Sequence, residues 1–257
     1  MQPLISRQIP KPVAQMLHGD FEQDFRVWSQ TLGGRTIAGY HSKAPEPNQW
    51  QICWLHGNGF NSLAYAPILR ALTKSAQDGP GYSVFTTDIP GHGLSHPPER
   101  SWPSWRSMAK HVDQAMEQQF AGSPACKRVG IGHSLGSVLT LLQAHQNPHR
   151  FEKILLLDPM LFPPSIIALQ QTIKTLKLWP WAPLPKSARQ RQHRWESTES
   201  MQQQLASKGF YRGWHPDALK GYVGGGHRTT DQGVELSCAP EWEAKIFASY
   251  PSRLVQA

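Results

Sequence analysis

Cysteine is scarce in this chain. Cys53, Cys126 and Cys238 are the only three among 257 residues, and no two of them form a CxxC pair. An odd and widely scattered set argues against a disulfide framework and against a cysteine-ligated zinc site. It is typical of a reducing compartment, so we expect a cytoplasmic protein.

Long apolar runs are also missing. No uninterrupted stretch approaches the ~20 apolar residues that a membrane-spanning helix needs, and residues 1–20 contain no apolar block of signal-peptide length. Internal repeats and low-complexity segments are absent. The sequence therefore predicts a soluble protein without a membrane span, and its 39% hydrophobic content is enough for a sizeable core.

Acidic residues are few: 18 Asp and Glu stand against 26 Lys and Arg, which gives a formal net charge of +8. The densest basic patch is Lys186, Arg189, Arg191 and Arg194, and on a helix these positions spread over more than one face. We interpret the patch as solvated surface. Because no groove-reading motif accompanies the charge, we expect no nucleic-acid partner.

Short apolar runs alternate with longer amphipathic ones over the first 160 residues, which is typical of βα units and a mostly parallel sheet. The two runs beside Gly33 and Gly34 predict an opening hairpin. The predicted strands are 25–28, 36–40, 52–55, 82–87, 128–131 and 154–157, and the predicted helices are 63–76, 104–120 and 135–144.

The composition changes after Pro159, where Pro, Trp, Gln and basic residues become frequent and clear strand patterns end. Helices are predicted over 166–178, 187–207 and 240–248, joined by loops such as Gly224–Gly226. We therefore predict an α/β core over residues 1–160 and a helical cap over 161–257. Aromatic rings after residue 160 are expected mostly to form the cap's own core, with Met160–Phe162 facing a pocket.

Gly132-His133-Ser134-Leu135-Gly136 matches the G-x-S-x-G pattern and lies between a predicted strand and a predicted helix. A serine on such a sharp turn takes a strained backbone, and small residues two positions away on either side prevent clashes. Ser134 is the predicted nucleophile. The alternative is a turn whose serine merely caps the helix.

His56-Gly57-Asn58-Gly59-Phe60 follows the third predicted strand. Acyl transfer needs donors that face the developing oxyanion. We expect these donors to be the backbone amides of Asn58 and Leu135, and we expect His56 to hold the loop by hydrogen bonding.

These two motifs, together with Asp88-Ile89-Pro90-Gly91-His92-Gly93, occur in the order seen in α/β-hydrolases, and the chain resembles that superfamily over residues 20–160. The likeness is greatest to the esterase, lipase and C–C hydrolase branch with a helical cap. The resemblance implies an α/β-hydrolase fold, no metal or organic cofactor, and hydrolysis of a small carboxylic ester with an apolar part. It also implies that Asp88 and His92 form a structural turn.

The chain departs from the superfamily pattern in the order Ser, then Asp or Glu, then His. Asp158, after the sixth strand, could be the acid, although an aspartate that caps the loop is the alternative. No seventh or eighth strand is predicted, and no histidine follows His227. Three explanations remain open: a fragment or truncated product, a base from the cap (His215 or His227), or a binding protein that has lost catalysis. The sixth strand is then expected to be an exposed apolar edge.

Overall fold

The computed structural model describes residues 24–32, 34–42, 49–74, 82–96, 104–121, 126–176, 182–251 and 254. None of the helices in these ranges is long and apolar enough to cross a membrane.

A six-stranded, mostly parallel sheet organises the first part of the chain. Its strands are β1 Arg26–Leu32, β2 Arg35–His41, β3 Trp50–Leu55, β4 Ser83–Thr87, β5 Lys127–His133 and β6 Lys153–Leu157. They follow the order β1-β2-β4-β3-β5-β6, with β1 antiparallel to β2 and β2 antiparallel to β4. The other pairings, β4 with β3, β3 with β5 and β5 with β6, are parallel. All six predicted strands and the opening hairpin are confirmed.

Helices cover both faces of this sheet. They are α1 Ala66–Lys74, α2 Trp105–Phe120 and α3 Leu135–Gln146. Strand residues alternate between two cores, as a period of two requires: Cys53 and Leu55 pack towards α2 and α3, whereas Ile52 and Trp54 pack towards α1. The helix predicted from residue 63 begins as a 3₁₀ turn, Ser62–Tyr65, because the Asn61 side chain accepts the Ala64 amide at its start.

The described residues after Pro159 form five helices, α4 Pro164–Thr175, α5 Pro183–Gln190, α6 Thr198–Ser207, α7 Pro216–Gly225 and α8 Pro240–Ala248. The expectation of no strands there is wrong. β7 Arg194–Trp195, β8 His227–Thr230 and β9 Gly233–Leu236 form an antiparallel sheet in the order β7-β9-β8. The predicted helix 187–207 is accordingly two helices separated by β7, a strand too short for a periodic signal.

The predicted loop at Gly224–Gly226 is also wrong, since Gly224 and Gly225 end helix α7 and are buried. The reason is the close approach of α7 to residues 61–63. A Cβ on Gly221 would lie 2.0 Å from the Leu63 carbonyl oxygen, and one on Gly225 would lie 2.9 Å from Asn61 Oδ1. Glycines therefore let α7 pack directly on the 3₁₀ turn.

Helix α8 packs into the core of the large sheet. Trp242 and Ile246 belong to the same buried cluster as the inner faces of α2 and α3. The Trp242 indole donates to the Pro90 carbonyl at 2.9 Å, and the Trp105 indole donates to the Ile246 carbonyl at 3.1 Å. The boundary at residue 160 stays a prediction, but residues on both sides of it share one core.

Strand β6 forms one edge of the large sheet and pairs only with β5 among the described residues. Two of its apolar side chains are considerably exposed, Ile154 by 38% and Leu155 by 49%. The predicted apolar edge is therefore present in the described part of the chain.

Candidate active site

Ser134 lies on a strained turn between β5 and α3. Its backbone φ is 52° and its ψ is −115°, a conformation that non-glycine residues rarely adopt. The Ser134 amide donates to the Leu157 carbonyl at 2.9 Å, which ties the turn to β6. The side chain makes no capping hydrogen bond to α3, so the alternative of a helix-capping serine is wrong. The hydroxyl is left available at the carboxyl edge of the sheet.

The two glycines of the motif are required by packing. A Cβ on Gly132 would lie 2.3 Å from the Gly136 backbone, and a Cβ on Gly136 would lie 2.3 Å from the Leu55 carbonyl oxygen. Both distances are far inside van der Waals contact. The motif therefore places α3 against β3 as closely as two backbones allow.

The His56–Phe60 loop lies beside this turn. A Cβ on Gly57 would be only 3.4 Å from Ser134 Cβ, so the loop and the serine are direct neighbours. The loop turns through a 3.1 Å bond from the Phe60 amide to the Gly57 carbonyl and through a positive φ of 76° at Gly59. Among the described residues, the backbone amides of Asn58 and Leu135 have no hydrogen-bond acceptor. These two amides can donate hydrogen bonds to an anionic oxygen.

Three buried polar side chains hold the loop. The His56 ring bonds the Gly57 carbonyl through Nδ1 (2.8 Å) and accepts the Ile89 amide at Nε2 (2.9 Å). His92 Nε2 accepts the Gly59 amide at 3.0 Å. The Asp88 carboxylate accepts the amides of Ser62 (2.8 Å) and Leu94 (2.9 Å). These contacts agree with the expected structural roles.

Burial changes the pKa values of these groups. Desolvation lowers the pKa of His92 to about 4 and that of His56 well below its usual value, and it raises the pKa of Asp88 to about 6. The lowered histidine pKa values add stability above about pH 6.5 that is lost as the pH falls towards 4. The raised Asp88 pKa acts in the opposite direction, adding stability below about pH 4 that is lost as the pH rises through 6. The two histidines together contribute more than the one aspartate, so the free energy of unfolding should fall as the pH falls.

Asp158 follows β6 at the same edge of the sheet as Ser134, with a positive φ of 45°. Its side chain is exposed and accepts no hydrogen bond from the described residues. Burial lowers the pKa of His133, and the nearby charge of Asp158 raises it in part. The His133 ring already has a hydrogen-bond partner, because its Nδ1 lies 2.7 Å from the Tyr65 hydroxyl.

The two cap histidines considered as the catalytic base, His215 and His227, have partners within the region after residue 182. His215 Nδ1 accepts the Asp217 amide at the start of α7 (3.2 Å). His227 Nδ1 lies 2.6 Å from the Val223 carbonyl and its Nε2 lies 3.4 Å from the Thr198 hydroxyl. Neither is placed by these contacts at the Ser134 turn, and none of the described histidines forms a hydrogen bond with the Ser134 hydroxyl.

An aromatic cluster borders the loop and joins it to the C-terminal region. Phe60 stacks on Trp214 with ring centroids 5.4 Å apart and meets the His133 ring edge-on at 5.8 Å. Phe210 lies next to both Phe60 and Trp214 and is 67% exposed. Buried Trp195, Tyr211 and Tyr222 form the core behind them, as expected for the cap. Trp179 and Trp181 lie outside the described residues.

The predicted pocket residues Met160–Phe162 are divided between core and surface. Met160 and Phe162 pack against the core of the large sheet, and Phe162 meets the Tyr250 ring at 4.8 Å. Leu161 is 48% exposed.

The expectation of a solvated surface is wrong for Arg191. Its guanidinium pairs with Glu243 at 2.5 Å, and the two side chains are only 21% and 10% exposed. The same guanidinium donates to the Tyr222 hydroxyl at 2.6 Å and to the Tyr211 hydroxyl at 3.2 Å. No local pattern marks this ion pair, because 52 residues separate its members.

Most of the chain matches a known protein family. The family model described as "Serine aminopeptidase, S33" matches residues 46–220, which is more than half of the chain. The chain belongs to this family of α/β-hydrolases. The matched segment includes the His56–Phe60 loop, the Ser134 turn and most of the region that follows.

Individual relatives are distant. Over 127 residues the chain is 28% identical to the monoglyceride lipase of Homo sapiens, a match that covers 48% of this chain and 37% of the lipase. The chain thus spans little more than a third of that curated relative.

Solved structures share the α/β-hydrolase fold at low identity. An E-2-(acetamidomethylene)succinate hydrolase superposes with a TM-score of 0.61 at 18% identity, over 88% of this chain and 73% of that one. An esterase of M. tuberculosis superposes with a TM-score of 0.59 at 19% identity, over 90% of this chain and 72% of the esterase. These likenesses show the fold alone.

Proposed function

We propose that the protein is a serine hydrolase that cleaves small carboxylic esters, with Ser134 as the nucleophile. The observation that carries the proposal is the strained backbone of Ser134, at φ 52°, beside two amides without acceptors among the described residues. Strain of this kind costs about 1–3 kcal/mol and persists where the surrounding structure imposes it, most often at functional sites.

The proposed reaction begins with attack of Ser134 Oγ on the ester carbonyl carbon. The carbonyl oxygen becomes an oxyanion that the amides of Asn58 and Leu135 stabilise, and the positive end of the α3 dipole adds to this effect. A histidine, which the described residues do not supply at Ser134, would take the serine proton and return it to the leaving alcohol, and water would then release the acid. Asp158 is the proposed acid that would orient such a histidine.

The apolar part of the substrate is proposed to contact the aromatic cluster. Phe60 belongs to the loop that supplies one oxyanion donor, so the ring is close to the reacting carbonyl. The partly exposed rings around it offer the kind of apolar surface that ligand sites use. The lipase and esterase among the compared proteins are consistent with an ester substrate.

Hydrolysis of p-nitrophenyl esters of increasing acyl length tests the proposal. We expect turnover by the wild type that rises from acetate to longer chains and is lost in Ser134→Ala. Loss of a member of the catalytic group can lower kcat by up to about a million-fold. Folded wild-type protein that binds these esters without hydrolysing them would overturn the proposal in favour of a binding role.

A further inference from the structure

The turn at Asn58 and Gly59 is held from outside the large sheet by a buried polar network. The Tyr222 hydroxyl of α7 donates to the Gly59 carbonyl at 3.2 Å, and the Asn58 side-chain amide donates to the Glu243 carbonyl of α8 at 3.0 Å. Gly59 is in direct contact with the ion pair, because a Cβ there would lie 2.6 Å from Glu243 Oε1 and 2.9 Å from Arg191 Nη1. Two helices of the C-terminal region thus fix the two residues of the turn.

Arg191 lies at the centre of this network. One side of its guanidinium pairs with Glu243, and the other donates to the Tyr222 and Tyr211 hydroxyls. Burial opposes its charge, but interactions with Tyr222 and Glu243 outweigh burial, so the pKa of Arg191 is raised and the charge is retained. A buried charge with this many partners fixes their positions, since any movement would leave a polar group unpaired.

A second pair of residues offers a natural comparison. Arg189 and Glu241 bridge the same part of the chain at 2.8 Å, two positions before Arg191 and Glu243. Their side chains are 30% and 55% exposed, against 21% and 10% for Arg191 and Glu243. An ion pair exposed to this degree contributes at most about 1 kcal/mol.

We propose that Arg191 is a positioning residue: acting through Tyr222 and Glu243, it holds the Asn58–Gly59 turn in the shape that binds the oxyanion. The inference rests on the proposed function for its catalytic consequence. The shape of the turn itself can be measured whether or not the protein hydrolyses esters.

Hydrogen exchange at the Gly59 amide tests the positioning directly. Tyr222→Phe removes the bonds to the Gly59 carbonyl and to Arg191 with little change of volume. Tyr211→Phe is the control, because it removes bonds to Arg191 and Tyr222 but leaves the bond from Tyr222 to the Gly59 carbonyl. Loss of one hydrogen bond raises the equilibrium constant for local opening, and with it the exchange rate, by about tenfold. We expect Gly59 to exchange about tenfold faster in Tyr222→Phe and in Arg191→Met, and to change by less than about threefold in Tyr211→Phe and Arg189→Met. Equal exchange in all four variants would overturn the proposal.

Labelling by a fluorophosphonate separates the catalytic consequence from loss of folded protein. The final amount of labelled Ser134 measures the folded fraction, and the labelling rate measures how well each site stabilises the anionic intermediate. We expect Arg191→Met to lower the rate at least tenfold at unchanged amplitude, with Arg191→Lys in between. An unchanged rate in Arg191→Met would sink the positioning role and leave the proposed function intact. Absence of labelling in the wild type would instead sink the proposed function, and the exchange data would still decide whether Arg191 positions the turn.

Discussion

Substituting Gly136 by alanine tests the packing that creates the Ser134 turn. The added Cβ would lie 2.3 Å from the Leu55 carbonyl oxygen and 2.6 Å from the His56 carbonyl oxygen. Both atoms belong to backbone at the end of β3, so no side-chain rotation can relieve the overlap. Helix α3 must move away from β3 or the loop must distort.

The magnitude follows from two opposing effects. Overpacking costs about 1–3 kcal/mol, and a clash between backbones belongs at the upper end of that range. Alanine in place of a helical glycine stabilises the folded state by about 1 kcal/mol through its higher helix propensity. The free energy of unfolding should therefore fall by about 2 kcal/mol, which lowers Tm by roughly 4–8 °C in a chain of this size.

Gly213→Ala is the matched control, because a Cβ at Gly213 would meet no atom within 4 Å. Urea unfolding of both variants, followed by circular dichroism, gives the comparison. We expect Gly213→Ala to stay within about 0.5 kcal/mol of the wild type. A Gly136→Ala variant as stable as this control would refute the close packing of α3 on β3 from which the strained turn is derived.

The remaining predictions concern strain, pH and the sheet edge. Ser134→Gly should raise the free energy of unfolding by about 1 kcal/mol, because glycine tolerates a positive φ, while abolishing ester hydrolysis; a loss of stability would contradict the strain. Stability should fall as the pH drops from 6.5 to 4, and His92→Gln should flatten that decline because it removes a group whose pKa is lowered to about 4. The free energy of unfolding is measured by urea titration at several pH values. If it depends on pH as steeply in His92→Gln as in the wild type, this role of His92 is refuted. We expect the exposed apolar edge of β6 to pair with a second copy of the chain. Leu155→Lys should therefore reduce self-association in sedimentation velocity relative to Lys153→Arg, because a charge on a strand edge opposes pairing; equal association of the two variants would refute pairing through β6.

The large sheet could be predicted because its signals are local. Each strand from β2 to β6 is a short apolar or β-branched run ended by a turn, and each following helix shows apolar residues at helical spacing. The Ser134 motif was equally readable, since its glycines are spaced as a strand-to-helix turn requires.

Features that depend on distant contacts could not be predicted. Strand β7 has only two residues, too few for a period, and it exists because β9 pairs with it. Gly224 and Gly225 resemble a loop in sequence, yet they form a helix because the 3₁₀ turn lies against α7. Arg191 resembled surface charge because Glu243, its partner, is 52 residues away.

Mapping a fluorophosphonate adduct by peptide mass spectrometry tests whether Ser134 is an activated nucleophile. We expect one adduct on folded wild-type protein, on Ser134, and none on Ser134→Ala or on heat-unfolded wild type. Folded wild-type protein without an adduct, or with its adduct on a different serine, would show that Ser134 is not the nucleophile.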